Sequence, residues 1–427
     1  MSAAALVIAF IVLIALRVPI AFALGLATLG YLLVFEPGVG ISTLPQQMFA
    51  AANNFSLTAI PFFILVGELM NTGGISQRLV DLAKALVGHL RGGMGIVELV
   101  ASMFFASFSG SAVANSAGTG SITIPAMIRS KYPRGLAAAI ETSSSSLGAV
   151  IPPSIPMVVY GGIANVSIGA LFVAGYVPAF IMAGGLAVVV YLRATALGLG
   201  TAGRVDWRGR LAATRHALAA LATPVIIMGG ILGGVMTPTE AGAVGAVWAF
   251  IISMFVYREL RLADMPGVLS RTAITTGVVM FVMSAANAFG WLLAFERIPA
   301  ALTEALLANL GNATLTLLGI IVVLAIIGTV IDTIAALVIL TPVLVPVALG
   351  VGIDPLHLGV IVSIGLSLGV ATPPVGVCLF VTAQIAQTTI EDVSWAILPF
   401  LAVLFGSLVL MAIFPDLVLT LPRALGF

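Results

Sequence analysis

Four short stretches of glycine, proline and small polar residues interrupt apolar runs of this sequence, and their chemistry suits cation binding. Two follow the pattern Gly-x-x-x-Pro-Pro, at 148–153 and 369–374, and two are small-residue turns, at 109–115 and 328–332. Proline inside a helix removes a backbone hydrogen bond, so carbonyl oxygens at such breaks become available as ligands. Small hard cations take oxygen ligands, and the amino ends of half-helices attract anions. The pattern therefore predicts cation and anion sites close together.

Asp332 is the one charged residue within these four stretches. An acidic side chain at the centre of a bilayer costs on the order of 3 kcal/mol on insertion scales, which makes Asp332 a functional candidate by default. Isolated serines in membrane helices more often bond the preceding helical turn, so only their clustering is informative. Helix capping or scaffold contacts explain four other acidic residues equally well, and these are left out of the site: Glu68, Glu141, Glu240 and Glu296.

The elements that carry these stretches are membrane helices. Of 427 residues, 61% are hydrophobic and 8% charged, against roughly a quarter charged in soluble domains. A net charge of +1 without a basic stripe excludes a nucleic-acid-binding protein. Apolar runs close to the ~20 residues that span hydrocarbon predict an all-α polytopic protein in a lipid bilayer, with crossings near 3–16, 19–35, 59–74, 135–163, 169–192, 217–236, 238–256, 273–295, 355–388 and 395–421.

The chain contains an internal duplication. The stretch 146–153 recurs at 367–374 with Ser, Leu, Gly and both Pro residues unchanged, an offset of 221 residues. The same offset pairs Pro125 with Pro346, and a nearby offset pairs Pro19 with Pro238. Three proline landmarks at nearly constant spacing predict two copies of one unit. We assign the copies to 1–200 and 217–427, with a cytoplasmic linker at 201–216.

The distribution of positive charge predicts that the two copies are inverted. The flanks of the first long hairpin, 78–91 and 129–134, carry six Lys and Arg residues, whereas the equivalent windows 299–312 and 350–355 carry none. Positively charged loops stay in the cytoplasm, so equivalent loops face opposite sides and each hairpin is re-entrant. Five crossings per copy then place both termini in the periplasm. All Lys and Arg except Arg297 and Arg423 fall on the cytoplasmic side.

An amphipathic segment precedes the first hairpin. Residues 76–91 place apolar side chains at helical spacing between charged ones, which is typical of a helix lying in the membrane interface. With its counterpart at 297–312, this segment predicts an arm at the base of each hairpin.

Several motifs together resemble the large membrane subunit of tripartite ATP-independent periplasmic (TRAP) transporters. The resemblance covers essentially the whole chain and is carried by Ser-Gly-Ser at 109–111, Thr-Pro-Thr-Glu-Ala at 237–241, Asp332 followed by Pro342 and Pro346, Ile-Asp-Pro-Leu-His at 353–357, and Thr-Pro-Pro-Val-Gly at 372–376. The family implies sodium-coupled import of organic acids across the bacterial inner membrane. It also implies two partners, a small four-helix membrane subunit and a periplasmic solute-binding protein. The small subunit is expected to be a separate polypeptide here.

The resemblance also implies an elevator mechanism and a set of binding residues. A transport domain of about 93–163 and 314–388 would move against a scaffold made of the remainder. Sodium sites carried over from the family fall on Ser109, Ser111, Gly148, Ile151 and Ser154 in the first copy, and on Gly328, Asp332, Gly369, Thr372 and Val375 in the second. Solute would lie between the hairpin tips, where Asn115 and Ser145 are the expected contacts.

Two other functions remain open from the sequence. A stand-alone ion-coupled carboxylate carrier or antiporter would share the inverted hairpins and need no binding protein. The other is an intramembrane enzyme or a purely structural subunit, and the enzyme is disfavoured because no His-Glu metal cluster or Ser-Lys pair lies at helical spacing in these segments. The identity of the solute is undetermined, and sialic acids, dicarboxylates and oxo acids all fit.

Overall fold

A computed structural model describes residues 2–53, 55–301, 303–304 and 312–427, and within these ranges the chain is helical and contains no strand. Helices are the expected outcome, because a spanning segment in lipid must pair its own backbone N–H and C=O groups. The helices of the first half are α1 (Ser2–Ala15), α2 (Ile20–Phe35), α3 (Thr43–Ala52), α4 (Ala59–Thr72), α5 (Ile75–Val87), α6 (Gly93–Ser109), α7 (Ala112–Gly118), α8 (Gly120–Arg129), α9 (Arg134–Ser145), α10 (Ile155–Ala164) and α11 (Ile168–Ala196).

The helices of the second half follow a similar order. They are α12 (Trp207–Leu232), α13 (Pro238–Ile251), α14 (Met265–Phe295), α15 (Ala313–Gly328), α16 (Thr333–Gly350), α17 (Pro355–Gly369), α18 (Val377–Ala386), α19 (Ile390–Ile413) and α20 (Asp416–Ala424). The Asp206 carboxylate caps α12 by accepting a hydrogen bond from the Gly209 amide at 2.9 Å. Since that helix begins at Trp207, it occupies most of the range predicted as a linker.

Many of these helices suit a bilayer. Among the described residues, six helices are long and apolar enough to cross a membrane, or seven if the bent pair α4 and α5 forms one span. Shorter apolar helices of 10–17 residues, such as α6, α10 and α17, accompany them. The protein is therefore a multi-pass membrane protein, and the ten crossings drawn from the sequence stay a prediction.

The two hairpins turn where small residues were expected to break the helix. Helix α6 ends at Ser109, and Gly110 takes a left-handed conformation with φ of 61° that glycine adopts without strain. Ser111 then caps α7 by accepting a hydrogen bond from the Ala114 amide. In the second hairpin α15 ends at Gly328, and the Asp332 carboxylate caps α16 by accepting from the Ile334 amide at 3.0 Å. Both predicted breaks are confirmed.

Both Gly-x-x-x-Pro-Pro stretches also interrupt their helices. The first separates α9 from α10 by a short 3-10 turn at Ser146–Ala149 and a loop that ends at Ser154, the N-cap of α10. The second separates α17 from α18 at 370–376. The peptide bonds Pro152-Pro153 and Pro373-Pro374 are both cis. The predicted unwound segments are therefore present in both halves of the chain.

The two broken helices contact each other reciprocally. At one end, the Arg134 guanidinium at the start of α9 donates to the Ala386 carbonyl at the end of α18, at 2.9 Å. At the other, the Tyr160 hydroxyl near the end of α10 donates to the carbonyl of Pro355 at the start of α17, at 2.7 Å. Between them a buried hydrogen bond of 2.6 Å joins the hydroxyls of Thr142 and Thr382. The breaks of the two halves are thus held in one packed unit.

The amphipathic segment before the first hairpin forms α5, which bends by 73° from α4. Its apolar face is buried, and Arg78 on its polar side pairs with Glu259 at 2.7 Å. The Arg78 guanidinium also lies 4.1 Å from the centre of the Tyr257 ring. These contacts fix the arm to the loop before α14. In the second predicted arm, 297–312, residues 298–301 are helical, and most of the remainder lies outside the described residues.

Candidate functional site

A cavity of about 150 Å³ lies between the two hairpin tips. Its walls come from α4, both tips and both helix breaks, together with Thr275 of α14. The polar side chains that line it and matter for the chemistry are Glu68, Asn71, Ser109, Ser111, Asp332 and Thr333. The cavity therefore combines carboxylates, hydroxyls and an amide where the helices are interrupted.

The first tip packs directly against the first helix break. The Ile155 amide at the start of α10 donates to the Gly110 carbonyl at 3.3 Å. A methyl group built on Gly148 would lie 2.8 Å from the carbonyl oxygen of Ser111, so only glycine allows this approach. The Ser109 hydroxyl is buried and has no hydrogen-bond partner within the described part of the chain. An orphaned buried hydroxyl beside helix-end carbonyls fits a cation ligand.

The second tip packs against the second helix break in the same way. The Gly376 amide donates to the Thr329 carbonyl at 3.3 Å. A methyl group built on Gly328 would lie 2.8 Å from the Cα of Gly369. Asp332 faces the shared cavity from the start of α16. The Asp332 carboxylate thus lies near the carboxyl end of α15, the amino end of α16 and the unwound segment 370–376.

The ten residues predicted to hold sodium separate into these two tip-and-break clusters. Ser109, Ser111 and Asp332 line the cavity. The Ser154 hydroxyl is engaged elsewhere, donating to the Ala149 carbonyl. The others lie in the broken segments around the tips, where backbone carbonyls are the available groups: Gly148, Ile151, Gly328, Gly369, Thr372 and Val375. Their coordination of a cation stays a prediction.

The two predicted solute contacts lie behind the cavity wall. Asn115 is fully buried and its amide nitrogen donates to the Ser102 hydroxyl at 2.8 Å. The hydroxyl of Ser145, also fully buried, donates to the Thr142 carbonyl at 2.9 Å. Neither residue is among those lining the cavity. Their contact with solute stays a prediction, and both side chains have partners inside the helix bundle.

The sequence did not predict that residues of α4 line the cavity. Glu68 and Asn71 lie three residues apart on one face of α4 and both line the cavity. The Glu68 carboxylate accepts from the Arg271 guanidinium of α14 at 2.8 Å, and the same guanidinium reaches the Thr72 hydroxyl at 3.3 Å. Two polar residues spaced by three in an otherwise apolar helix were the available signal. The Glu68–Arg271 ion pair therefore lies on the α4 side of the cavity.

A family model described as the DctM component of tripartite ATP-independent periplasmic transporters matches residues 7–417. The chain belongs to this family. It is 39% identical over 405 residues to the sialic acid TRAP transporter large permease protein SiaM of Vibrio cholerae, covering 95% of both chains. It is 41% identical over 404 residues to the C4-dicarboxylate TRAP transporter large permease protein DctM of Pseudomonas aeruginosa, covering 94% of both.

A solved structure supports the fold of this TRAP permease. The YdaH transporter of Alcanivorax borkumensis matches 88% of the permease and 87% of its own chain with a TM-score of 0.62. At 17% sequence identity this likeness concerns the fold alone. The relatives are transport proteins, so the permease is a membrane transporter and not an enzyme.

Proposed function

We propose that this TRAP permease imports a small organic acid into the cell, driven by a sodium gradient across the bacterial inner membrane. A small four-helix membrane subunit and a periplasmic solute-binding protein would be its partners. One observation carries the proposal: the two hairpin tips and the two helix breaks meet at one cavity, to which the first tip contributes the orphaned Ser109 hydroxyl and the second the Asp332 carboxylate. Interrupted helices that meet at a cavity are the usual way for transporters to bind ions and solute together.

Sodium is supported by the types of oxygen atom at the tips. The first cluster offers the unpartnered Ser109 hydroxyl and the carbonyl end of α6. The second offers the Asp332 carboxylate and the carbonyl end of α15. Hydroxyl, carboxylate and carbonyl oxygens are ligands for hard cations, and the described residues hold no cluster of three His, Cys, Asp or Glu side chains of the kind that transition metals prefer.

A small carboxylate is supported by the names of the relatives. The two relatives named above carry sialic acid and C4-dicarboxylates according to their names. The cavity is lined by the carboxylates of Glu68 and Asp332, and the Arg271 guanidinium pairs with Glu68. Cations bound at the tips would therefore supply the positive charge that an anionic solute needs. With sodium bound at the tips, the cavity would accept a negatively charged solute.

An elevator movement of 93–163 and 314–388 against the remaining scaffold is the proposed mechanism. Support comes from the reciprocal contacts that tie the two broken helices into one unit. The proposed duplication is supported by matching backbone conformations at equivalent positions. Asn165 and Gln387 both cap their helices in the left-handed conformation, with φ of 54° and 52°, and Lys131 and Gly352 share positive φ values of 67° and 78°.

Reconstituted transport tests the proposed function. The permease, purified with its small subunit in liposomes, is expected to accumulate a labelled organic acid only when an inward sodium gradient and the solute-binding protein are both present. Sialic acid and C4-dicarboxylates are the first probes to compare. Uptake of equal rate without any binding protein would support the stand-alone carrier, and uptake that ignores the sodium gradient would contradict the coupling.

The proposed inversion predicts opposite exposure of the two hairpin bases. In a Cys378→Ser background, which lacks cysteine, single cysteines replace Ser130 and Val351. A membrane-impermeant maleimide added to intact cells is expected to label the variant at 351, because that loop is periplasmic. The variant at 130 should react only after the membrane is permeabilised. Labelling of both positions from the same side would contradict the inverted topology.

A further inference from the structure

Two glutamates in the first half of the proposed transport domain are buried against each other. Glu98 of α6 and Glu141 of α9 are both completely inaccessible to solvent. Their side chains lie next to each other, because Ser144, less than one turn beyond Glu141 on α9, bonds the Glu98 carboxyl group. Within the described part of the chain, no Lys, Arg or His side chain forms an ion pair with either of them. Two negative charges cannot be held together in an apolar interior without compensation.

The hydrogen-bond donors around the pair are distributed unequally. The two carboxyl oxygens of Glu141 accept from the hydroxyls of Thr119 and Thr123, each at 2.7 Å. In Glu98, Oε1 accepts from the Ser144 hydroxyl at 2.7 Å. The other oxygen, Oε2, is buried and receives no donor. Glu141 therefore has the surroundings of a carboxylate, whereas Oε2 of Glu98 needs a hydrogen atom of its own in order to bond to it.

The pair is packed away from bulk solvent on every side. A methyl group built on Gly120 would lie 3.0 Å from Cγ of Glu141, so α8 presses directly on that side chain. Each residue that bonds the pair is fully or almost fully buried: Thr119, Thr123 and Ser144. Compensation must then come from within the pair, and carboxyl groups in this arrangement share a proton.

We propose that Glu98 and Glu141 form a buried proton-binding site, with one proton held on Oε2 of Glu98 and donated to the Glu141 carboxylate. The site joins three parts of the first half through short hydrogen bonds. They are α6, the outgoing leg of the hairpin at Thr119 and Thr123, and α9 with Ser144. The hairpin and the broken helix are thereby held as one unit whose charge does not depend on the solute.

The proton site is connected to the first hairpin tip. The Thr119 hydroxyl lies 3.2 Å from the amide oxygen of Asn115, and the nitrogen of that amide bonds Ser102. Asn115 is one helical turn beyond Ser111, and its Cβ would be 3.3 Å from a methyl group on Gly148. A change in the glutamate pair would therefore shift the backbone that surrounds the proposed sodium ligands.

Matched glutamine variants test the assignment of the proton to Glu98. The uptake measurement rests on the proposed function, whereas the spectroscopic measurement does not. Glu98→Gln keeps an acceptor for Ser144 and a donor for Glu141, so uptake and thermal stability are expected to stay within about twofold and a few degrees of wild type. Glu141→Gln replaces an acceptor oxygen by a donor opposite Thr119 or Thr123. Uptake is expected to fall by about tenfold or more.

Infrared difference spectra provide the second measurement on the purified permease. The wild type is expected to show the C=O band of a protonated carboxylic acid that does not exchange readily in heavy water, and Glu98→Gln should abolish it. This result does not require transport, so it separates failure of the proton site from failure of the proposed function. A band unaffected by Glu98→Gln, or equal losses in the two glutamine variants, would overturn the proposal.

Discussion

Replacing Asp332 by alanine is expected to reduce sodium-driven uptake to background. The Asp332 carboxylate lines the cavity at the second hairpin tip and lies next to the carbonyl end of α15. Its removal takes away the one formal negative charge that the tips and breaks contribute, and with it the main attraction for a cation there. Uptake against sodium concentration, measured in liposomes with the binding protein present, is the decisive experiment.

The same side chain also caps α16, so loss of the cap must be separated from loss of a cation ligand. Asp354 is a matched control, because it caps α17 by accepting from the Leu356 amide at 2.8 Å and does not line the cavity. Asp354→Ala is expected to cost about 1 kcal/mol of stability, as cap removal usually does, with normal sodium dependence. Asp332→Asn, which keeps a capping residue without the charge, should still lose sodium dependence. Unaltered sodium dependence in the asparagine variant would contradict the assigned role.

The helix breaks were predictable from the sequence because their causes are local. Consecutive prolines after a glycine cannot continue a helix, since each proline lacks an amide hydrogen and restricts the residue before it. Gly110 and Asp332 likewise mark helix ends through backbone freedom and capping. For these reasons the amino-acid sequence alone predicts the bounds of α6, α9 and α17 to within a few residues.

The direction of polar side chains was not predictable, because it depends on how each helix is rotated against its neighbours. Asn115 of α7 bonds Ser102 of α6, and Ser145 bonds the preceding turn of α9, so both side chains have partners inside the bundle. Their contact with solute stays a prediction. Glu141 had no local feature that distinguished a cap from a buried partner. Its role emerges only when Glu98, 43 positions earlier in the sequence, is brought beside it by the packing of α6 on α9. The spacing of neighbouring residues does not indicate long-range packing of this kind.

Substituting Gly369 with alanine is expected to have the second of the two largest effects on transport. The backbones of Gly328 and Gly369 approach so closely that a methyl group on either residue would overlap the other. The neighbouring atoms belong to backbone and cannot rotate away, so the second tip must separate from its helix break. Overpacking of this kind costs about 1–3 kcal/mol, and displaced ligand atoms should lower uptake by about tenfold or more.

Two further glycine substitutions, one at the equivalent position of the first half and one at an uncrowded position, serve as comparisons. Gly148 occupies the corresponding position in the first half, where a methyl group would lie 2.8 Å from the Ser111 carbonyl oxygen. If the halves are two copies of one unit, Gly148→Ala and Gly369→Ala should both lower the thermal midpoint and the uptake rate. Gly406 of α19 has no atom within 4 Å of such a methyl group, and Gly406→Ala should transport normally. Normal transport by Gly369→Ala would show that the tip and the break need not touch, and a cation could not then be held by both.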